Sequence, residues 1–231
     1  MTGHERDMSK RLTRNQMAWR AAQDMTNRSY VNLGIGIPVL VANYIPAERS
    51  VMLQSENGIL GIGPAPAENE IDPYFVDAGG QHVSLAQGGM LTDSVGAFTM
   101  ITGGHIDVTL LGAFQVADNG DFANWNALLA NKGPLVGGAM DLAAGAREVR
   151  LIMAHTTREG EPRLVKQCTY PLTARGRAGR VYTDLAVVDV TKSGFVVREM
   201  VAGLSRDELA AKSGAPLAFA SDCKTLAAPD L

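Results

Sequence analysis

The stretch "YVNLGIGIPVLVANYI", residues 30–45, decides the fold. "YVNL" carries the aromatic, β-branched and apolar residues of a short strand. Gly34 and Gly36 then give a tight turn, and Pro38 suits the first turn of a helix running through "VLVANYI". The pattern is strand, glycine turn, helix. Working outward, "VMLQSE" (51–56), "YFVDA" (74–78), "IDVTLLGAF" (106–114) and "EVRLIMAH" (148–155) read as further strands, with "GGAMDLAAGA" (137–146) helical before the last. Upstream, Leu12-Thr13 followed by Gln16-Met17 is a capping box with a hydrophobic staple, and Ala18, Ala21, Ala22 and Met25 follow at helical spacing. Strands alternating with helices predict an α/β chain built on an open, mostly parallel sheet with helices on both faces.

The C-terminal pattern differs. "LAVVDV", the turn "TKSG" and "FVVREM" predict a β-hairpin. A helix follows that starts at Ser205, with Glu208 completing a capping box, and stops near Gly214. Both are expected as appendages on the main sheet. With no repeat and no Pro/Ser-rich linker, residues 1–231 are expected to form a single domain. "PAPAENEIDP" (64–73) is a polar, proline-rich loop long enough to cover a site.

Composition narrows the chemistry. The chain has 231 residues, 46% of them hydrophobic, and 21 Lys and Arg against 24 Asp and Glu give a formal net charge of −3. This balance predicts no nucleic-acid footprint and favours small-molecule chemistry. No apolar stretch approaches a membrane span, and "MTGHERDMSKRLTR" lacks the apolar segment of a secretory signal, so no membrane association and a cytoplasmic location are expected. Cys168 and Cys223 are too few for a disulfide framework. His4, His82, His105 and His155 show no metal-ligand spacing, so no metal is expected, and each reads as a capped or hydrogen-bonded structural residue. The partial G-x-G-x-x-G at residue 34 has Val39 where the third glycine belongs, and no phosphate-binding G-x-x-x-x-G-K-[ST] occurs. Ser55 and Ser94 lack a G-x-S-x-G elbow.

Glu56 in "LQSENGILGIGP" (53–64) is left as the candidate for chemistry. It falls at the C-terminal end of a predicted strand, where open α/β sheets place their ligand crevices. A carboxylate there could act as a covalent nucleophile, with Ser55, Asn57 and Gly58 shaping the backbone around it. The other reading is a salt-bridged loop glutamate. Gly137 and Gly138 either admit a substrate to backbone N–H groups or form only a tight helix entry.

"QSENGILGIGP" resembles the S-E-N-G signature of the class I CoA-transferases, specifically their B subunits. "VNLGIGIPVLVANYIP", "GGHIDVTLLGAFQV", "GDFANW", "VGGAMDLAAGA", "CTYPLT" and "VYTDLAVVDVT" are similar to that family's blocks in that family's order, from about residue 10 to about residue 216. The resemblance implies that Glu56 attacks an acyl-CoA thioester and then carries CoA as a glutamyl thioester. It implies that Gly138 and Ala139 offer backbone amides to the oxyanion and to CoA, and that Asn32, Gly34 and Gly36 shape the floor of the crevice. It requires no cofactor, CoA thioester being a substrate. It also implies a companion A subunit, in a heterotetramer of two A and two B chains, with acyl-CoA and a carboxylic acid as substrates. Transfer from succinyl-CoA to 3-oxoadipate is the expected reaction, with acetoacetate or acetate as alternative acids and a non-catalytic acyl-CoA-binding module as an alternative of another class. The chain departs from the family pattern where Thr102 replaces a common arginine and Gly80 a common lysine.

Overall fold

The computed structural model describes residues 11–128 and 133–231; His4 lies outside them. The capping box is present: Thr13 accepts from the Gln16 backbone N–H, Gln16 reaches back to Thr13, and helix α1 (Arg14–Ala22) follows. Its Met17, Ala18, Ala21 and Ala22 are buried. Strand β1 (Ser29–Leu33) runs into the glycine turn, Gly36 adopts a φ of 96° at the cap of α2 (Ile37–Leu40), and the chain tightens into a 3-10 turn at Val41–Tyr44. The expected helix is therefore split. β2 (Val51–Ser55) returns parallel to β1, with Asn32 in register with Gln54.

β3 (Ile59–Ile62) and β4 (Leu85–Leu91) then add antiparallel strands beyond β2, neither foreseen from sequence. Residues 74–78, expected as a strand, make only an isolated bridge between Val76 and His82. Tyr74 is 93% exposed, so this segment's apolar residues had no sheet face to cover. Helix α3 (Ser94–Thr102), capped by the Asp93 carboxylate on the Gly96 N–H, was also unforeseen. β5 (Val108–Gly112) pairs parallel with β1 on the side away from β2. A small separate sheet of β6 (Gln115–Ala117), β7 (Phe122–Ala123) and β9 (Leu164–Val165) follows, while α4 (Ala139–Gly145) leads to β8 (Glu148–Ile152).

β10 (Ala178–Tyr182), β11 (Ala186–Thr191) and β12 (Gly194–Val201) continue the main sheet. The predicted hairpin is thus β11–β12, but it belongs to the sheet itself rather than hanging from it. Helix α5 (Arg206–Ala211) opens at Ser205 with Glu208 in the capping box. Beyond it β13 (Leu217–Leu226) pairs parallel with β12, past the span of the family blocks. Among the described residues the main sheet has ten strands in the order β13-β12-β11-β10-β8-β5-β1-β2-β3-β4. The five from β10 to β2 are all parallel, and antiparallel pairs begin on either side.

Strand order positions the site. From β1 the chain moves through α2 to β2, whereas from β5 it moves through α4 to β8 in the opposite direction along the sheet. Right-handed crossovers put α2 and α4 on opposite faces, and the gap between them opens at the carboxyl ends of β1, β2 and β5. The helices group accordingly, α1 with α2 and the 3-10 turn, α3 with α4. Between them lie fully buried side chains such as Leu110, Leu151, Ile101 and Tyr182, each contributing on the order of 1.5–3 kcal/mol by burial. Ion pairs tie α1 to the C-terminal strands: Arg20 grips Glu199 through two bonds of 2.8 and 2.6 Å, and Asp24 binds Arg180. No helix among the described residues is long and apolar enough to cross a membrane.

Candidate functional site at the carboxyl edge of the parallel strands

Glu56 is the first residue beyond β2, at the switch point just defined, and its side chain is half-buried. The turn that holds it is dictated by Gly58, whose φ is 118°. A Cβ on Gly58 would sit 2.0 Å from the Thr92 carbonyl oxygen, so only glycine fits. The Gly58 N–H donates to the Ser55 carbonyl, and the Gly58 carbonyl accepts from the Thr92 N–H, locking the turn to the start of α3.

Ser55 and Asn57 face the loop of residues 76–79. The Ala78 N–H donates to Ser55 Oγ at 2.9 Å, and Asn57 Nδ2 donates to the Val76 carbonyl at 2.8 Å. Asp77 closes the same loop by accepting from the Gly79 and Gln81 N–H groups. The neighbours of Glu56 in sequence thus hold one wall of a cleft. That cleft encloses about 870 Å³, its open mouth included, and is lined by Gly34, Ile35, Ser55, Glu56, Asp77 and His82 among others. Among the described residues, no lysine or arginine lines it.

From β1, Asn32 reaches the carboxylate. It is fully buried, and its Nδ2 donates to Gln54 Oε1 at 2.7 Å, to the Gln54 carbonyl at 3.2 Å and to Glu56 Oε2 at 3.3 Å. The other carboxylate oxygen faces α4, since a Cβ on Gly138 would lie 3.6 Å from Glu56 Oε1 and 3.0 Å from the Phe98 ring. Glu56, Asn32 and Gly138 therefore meet, although they come from three separate elements. Ala139 begins α4 beside Gly138. Gly34 donates its N–H to the Leu110 carbonyl and lines the cleft. Gly36 lies apart at the cap of α2, near Arg14, and shapes the helix entry rather than the cleft.

Sequence reasoning missed Gln54 and Phe98, because their nearness to Glu56 and Gly138 depends on strand register and on α3. Thr102 ends α3, exposed, with its hydroxyl donating to the Phe98 carbonyl. Gly80 sits at an open turn with a φ of 77°. Of the histidines, His155 is structural as expected. It is fully buried between Thr183 Oγ1 at 3.0 Å and Ser213 Oγ at 2.9 Å, and burial, opposed in part by Asp184, lowers its pKa to about 4. His82 instead stands exposed on the cleft wall. Cys168 and Cys223 are unpaired thiols, and burial pushes Cys168 up to about 11, which makes it a poor nucleophile. Among the described residues no group of three or more His, Cys, Asp and Glu could hold a metal ion.

This arrangement gives a carboxylate with two distinguishable oxygens, one hydrogen-bonded and one facing a glycine at a helix entry, in a cleft open to solvent. Comparison with known proteins gives the family and the fold. The sequence profile described as "Coenzyme A transferase" matches residues 14–212. The B subunit of a 3-oxoadipate CoA-transferase from Pseudomonas putida is 50% identical over 210 residues, covering 91% of this chain and 98% of that protein. The human mitochondrial succinyl-CoA:3-ketoacid coenzyme A transferase 2 is 40% identical over 226 residues, which cover 97% of this chain but 43% of the longer human protein. In fold, the chain is similar to an acyl-CoA transferase of Escherichia coli O157:H7, with a TM-score of 0.74 at 18% identity, over 93% of this chain and 43% of that one.

Proposed function

Since this chain belongs to the coenzyme A transferase family, we propose that it is the B subunit of a two-chain CoA-transferase that moves CoA from succinyl-CoA to 3-oxoadipate, with Glu56 as the covalent carrier. The observation that carries this reading is the meeting of Glu56 with Asn32 and Gly138 at the carboxyl edge of the parallel strands.

The chemistry follows from a nucleophilic carboxylate. A Glu56 oxygen attacks the thioester carbonyl of succinyl-CoA, the C–S bond breaks, and CoA leaves as a thiolate while a succinyl–glutamyl anhydride forms. The thiolate then attacks the glutamyl carbonyl, the anhydride C–O bond breaks, and succinate leaves. Glu56 now holds CoA as a thioester. The carboxylate of 3-oxoadipate attacks that thioester, releasing the thiolate and giving a second anhydride. Thiolate attack on its oxoadipyl carbonyl yields 3-oxoadipyl-CoA and frees the Glu56 carboxylate. Each thioester is exchanged for an anhydride and back, so no ATP and no cofactor enter the balance.

Each tetrahedral intermediate places negative charge on oxygen, and preorganised N–H donors are the groups that stabilise it. On this reading Asn32 Nδ2 serves the glutamyl carbon, being already within 3.3 Å of Glu56 Oε2. The backbone amides of Gly138 and Ala139 serve the acyl side, where the missing side chain of Gly138 leaves room for the incoming carbonyl. Gly34 lines the floor and Ser55, Asn57 and Gly58 hold the wall and the turn.

The companion A chain has three supports. The P. putida relative is named as one subunit, and this chain corresponds to under half of the longer human protein. CoA also carries several phosphate charges, for which the described lining of the cleft supplies no lysine or arginine. An A chain closing over the cleft would supply those cations, in an assembly of two A and two B chains.

Mass spectrometry of the reconstituted A–B complex with succinyl-CoA tests the whole. A CoA adduct on Glu56, absent from Glu56→Gln and discharged by 3-oxoadipate, is expected. An adduct discharged only by acetoacetate would replace the acceptor, and no adduct from any acyl-CoA would leave an acyl-CoA-binding module.

A further inference from the structure

Three buried polar side chains lie in one row across the centre of the main sheet. Gln54 of β2 is in register with Asn32 of β1, and Asn32 with Thr109 of β5, so all three point to the same face. Their exposures are 2%, 0% and 0%, with apolar Leu53, Val31 and Leu110 beside them. A row of this kind is costly. Asn32 Oδ1 and Thr109 Oγ1 are buried with no hydrogen-bond partner among the described residues, whereas apolar side chains there would carry no such penalty.

The hydrogen bonds give the row a direction. Gln54 Nε2 donates to the Ala97 carbonyl in α3 at 3.5 Å, which turns Gln54 Oε1 toward β1. That oxygen accepts from Asn32 Nδ2 at 2.7 Å, the shortest of the three bonds made by the Asn32 amide. Were the Asn32 amide reversed, its oxygen would face Gln54 Oε1, the Gln54 carbonyl and the Glu56 carboxylate together. Three acceptors would oppose a fourth. Gln54 Oε1, the nearest of the three acceptors, is thus the side-chain group that holds the donating end of Asn32 toward Glu56.

We infer that Gln54 is a positioning residue for the transfer reaction, holding the Asn32 amide so that its N–H donates to Glu56 Oε2 while Oε1 stays free toward Gly138. The inference rests on the proposed role of Glu56 and deepens it. Gln54 itself lies in β2, two residues before Glu56, and borders the cleft, but it is only 2% exposed and its side-chain hydrogen bonds go to Ala97 and Asn32, so it acts through Asn32. Substrate binding is left to the cleft, and the step that depends on Gln54 is attack at the glutamyl centre.

Gln54→Met is close in volume and offers no oxygen acceptor. In the reconstituted complex, kcat should fall at least ten-fold with KM for succinyl-CoA unchanged within two-fold, and single-turnover formation of the glutamyl-CoA adduct should slow in parallel. The decisive comparison is made in the Asn32→Ala background. There Gln54→Met should cost less than a further two-fold, because the group it acts through is gone. Equal losses in both backgrounds would assign Gln54 a merely structural role and overturn the inference, as would an unchanged rate of adduct formation in the single variant. A wild-type complex that forms no adduct would instead overturn the role of Glu56. Size exclusion and thermal unfolding of each variant identify any that fails to fold, and Gln54→Leu then stands in for Gln54→Met.

Discussion

Gly138 faces Glu56 across the carboxyl edge of the sheet so closely that its first missing side-chain atom would lie 3.6 Å from Glu56 Oε1 and 3.0 Å from the Phe98 ring. Gly138 needs no unusual backbone, with a φ of −69°, so conformational freedom does not explain the glycine. Space does. Gly138→Ala should leave the fold intact, with a shift in Tm of a few degrees at most, because the close contact is with the half-buried Phe98 ring, a side chain that needs to give by only a few tenths of an ångström. It should lower kcat by about ten-fold to a hundred-fold, since small displacements at a reacting centre cost that much. A kcat unchanged within two-fold would mean that the glycine serves only the entry to α4.

The second glycine of the site fails differently. At Gly58 both the φ of 118° and the 2.0 Å approach to the Thr92 carbonyl forbid a side chain, and the clash is with backbone. Gly58→Ala should therefore displace the β2–β3 turn and the start of α3 together, destabilising the chain by more than the ~1 kcal/mol typical of a left-handed alanine. Thermal unfolding measures this, and a Tm within two degrees of the parent would show that the turn relaxes freely.

His155 gives a pH dependence whose sign follows from its burial. Folded, its pKa is lowered from 6.5 to about 4. Between those values the unfolded chain takes up a proton that the folded chain refuses, so folding stability falls as pH is lowered from about 6.5 toward 4 and is fully regained above that window. The contribution is about 3 kcal/mol. Denaturant unfolding at pH 7.5 and pH 4.5 should show the loss. In His155→Gln the drop should be smaller by a comparable amount, although carboxylates such as Asp24 leave some slope of their own.

How much of this was legible in the sequence depends on the range of each signal. Capping boxes at Thr13 and Ser205, Pro38 in its helical turn and the β11–β12 hairpin are local, and each stands where the residues put it. Glu56 was legible for the same reason, as a carboxylate where a strand meets glycines. β3 and β4 were hidden by Gly61, Gly88 and Gly89, which break the alternation of a strand while permitting its bulges. The alternation in β13 carries Asp222 and Lys224 and so reads as loop. Asn32, Gln54 and Thr109 form a row only once parallel register is known, and a one-residue slip would turn one of them to the other face.

The ion pairs that fasten α1 to the C-terminal strands are the last test, because they join the first helix to late strands without touching the cleft. Arg20 holds Glu199 through two bonds and Asp24 through a third, with side chains only 14–19% exposed. Burial opposes the charge on Asp24, yet hydrogen bonds from Arg20 and Tyr182 and the nearby Arg180 hold its carboxyl below the usual range. Removing the Glu199 charge leaves Arg20 with Asp24 as its remaining charged partner and weakens two charge-assisted hydrogen bonds. Glu199→Gln should therefore destabilise the chain by about 1.5–3 kcal/mol in denaturant unfolding. Adduct formation on Glu56 should continue at the parent rate in the folded complex. A loss of adduct without a loss of stability would mean that the far edge of the sheet is coupled to the site, contrary to the separation of the two regions along the strand order.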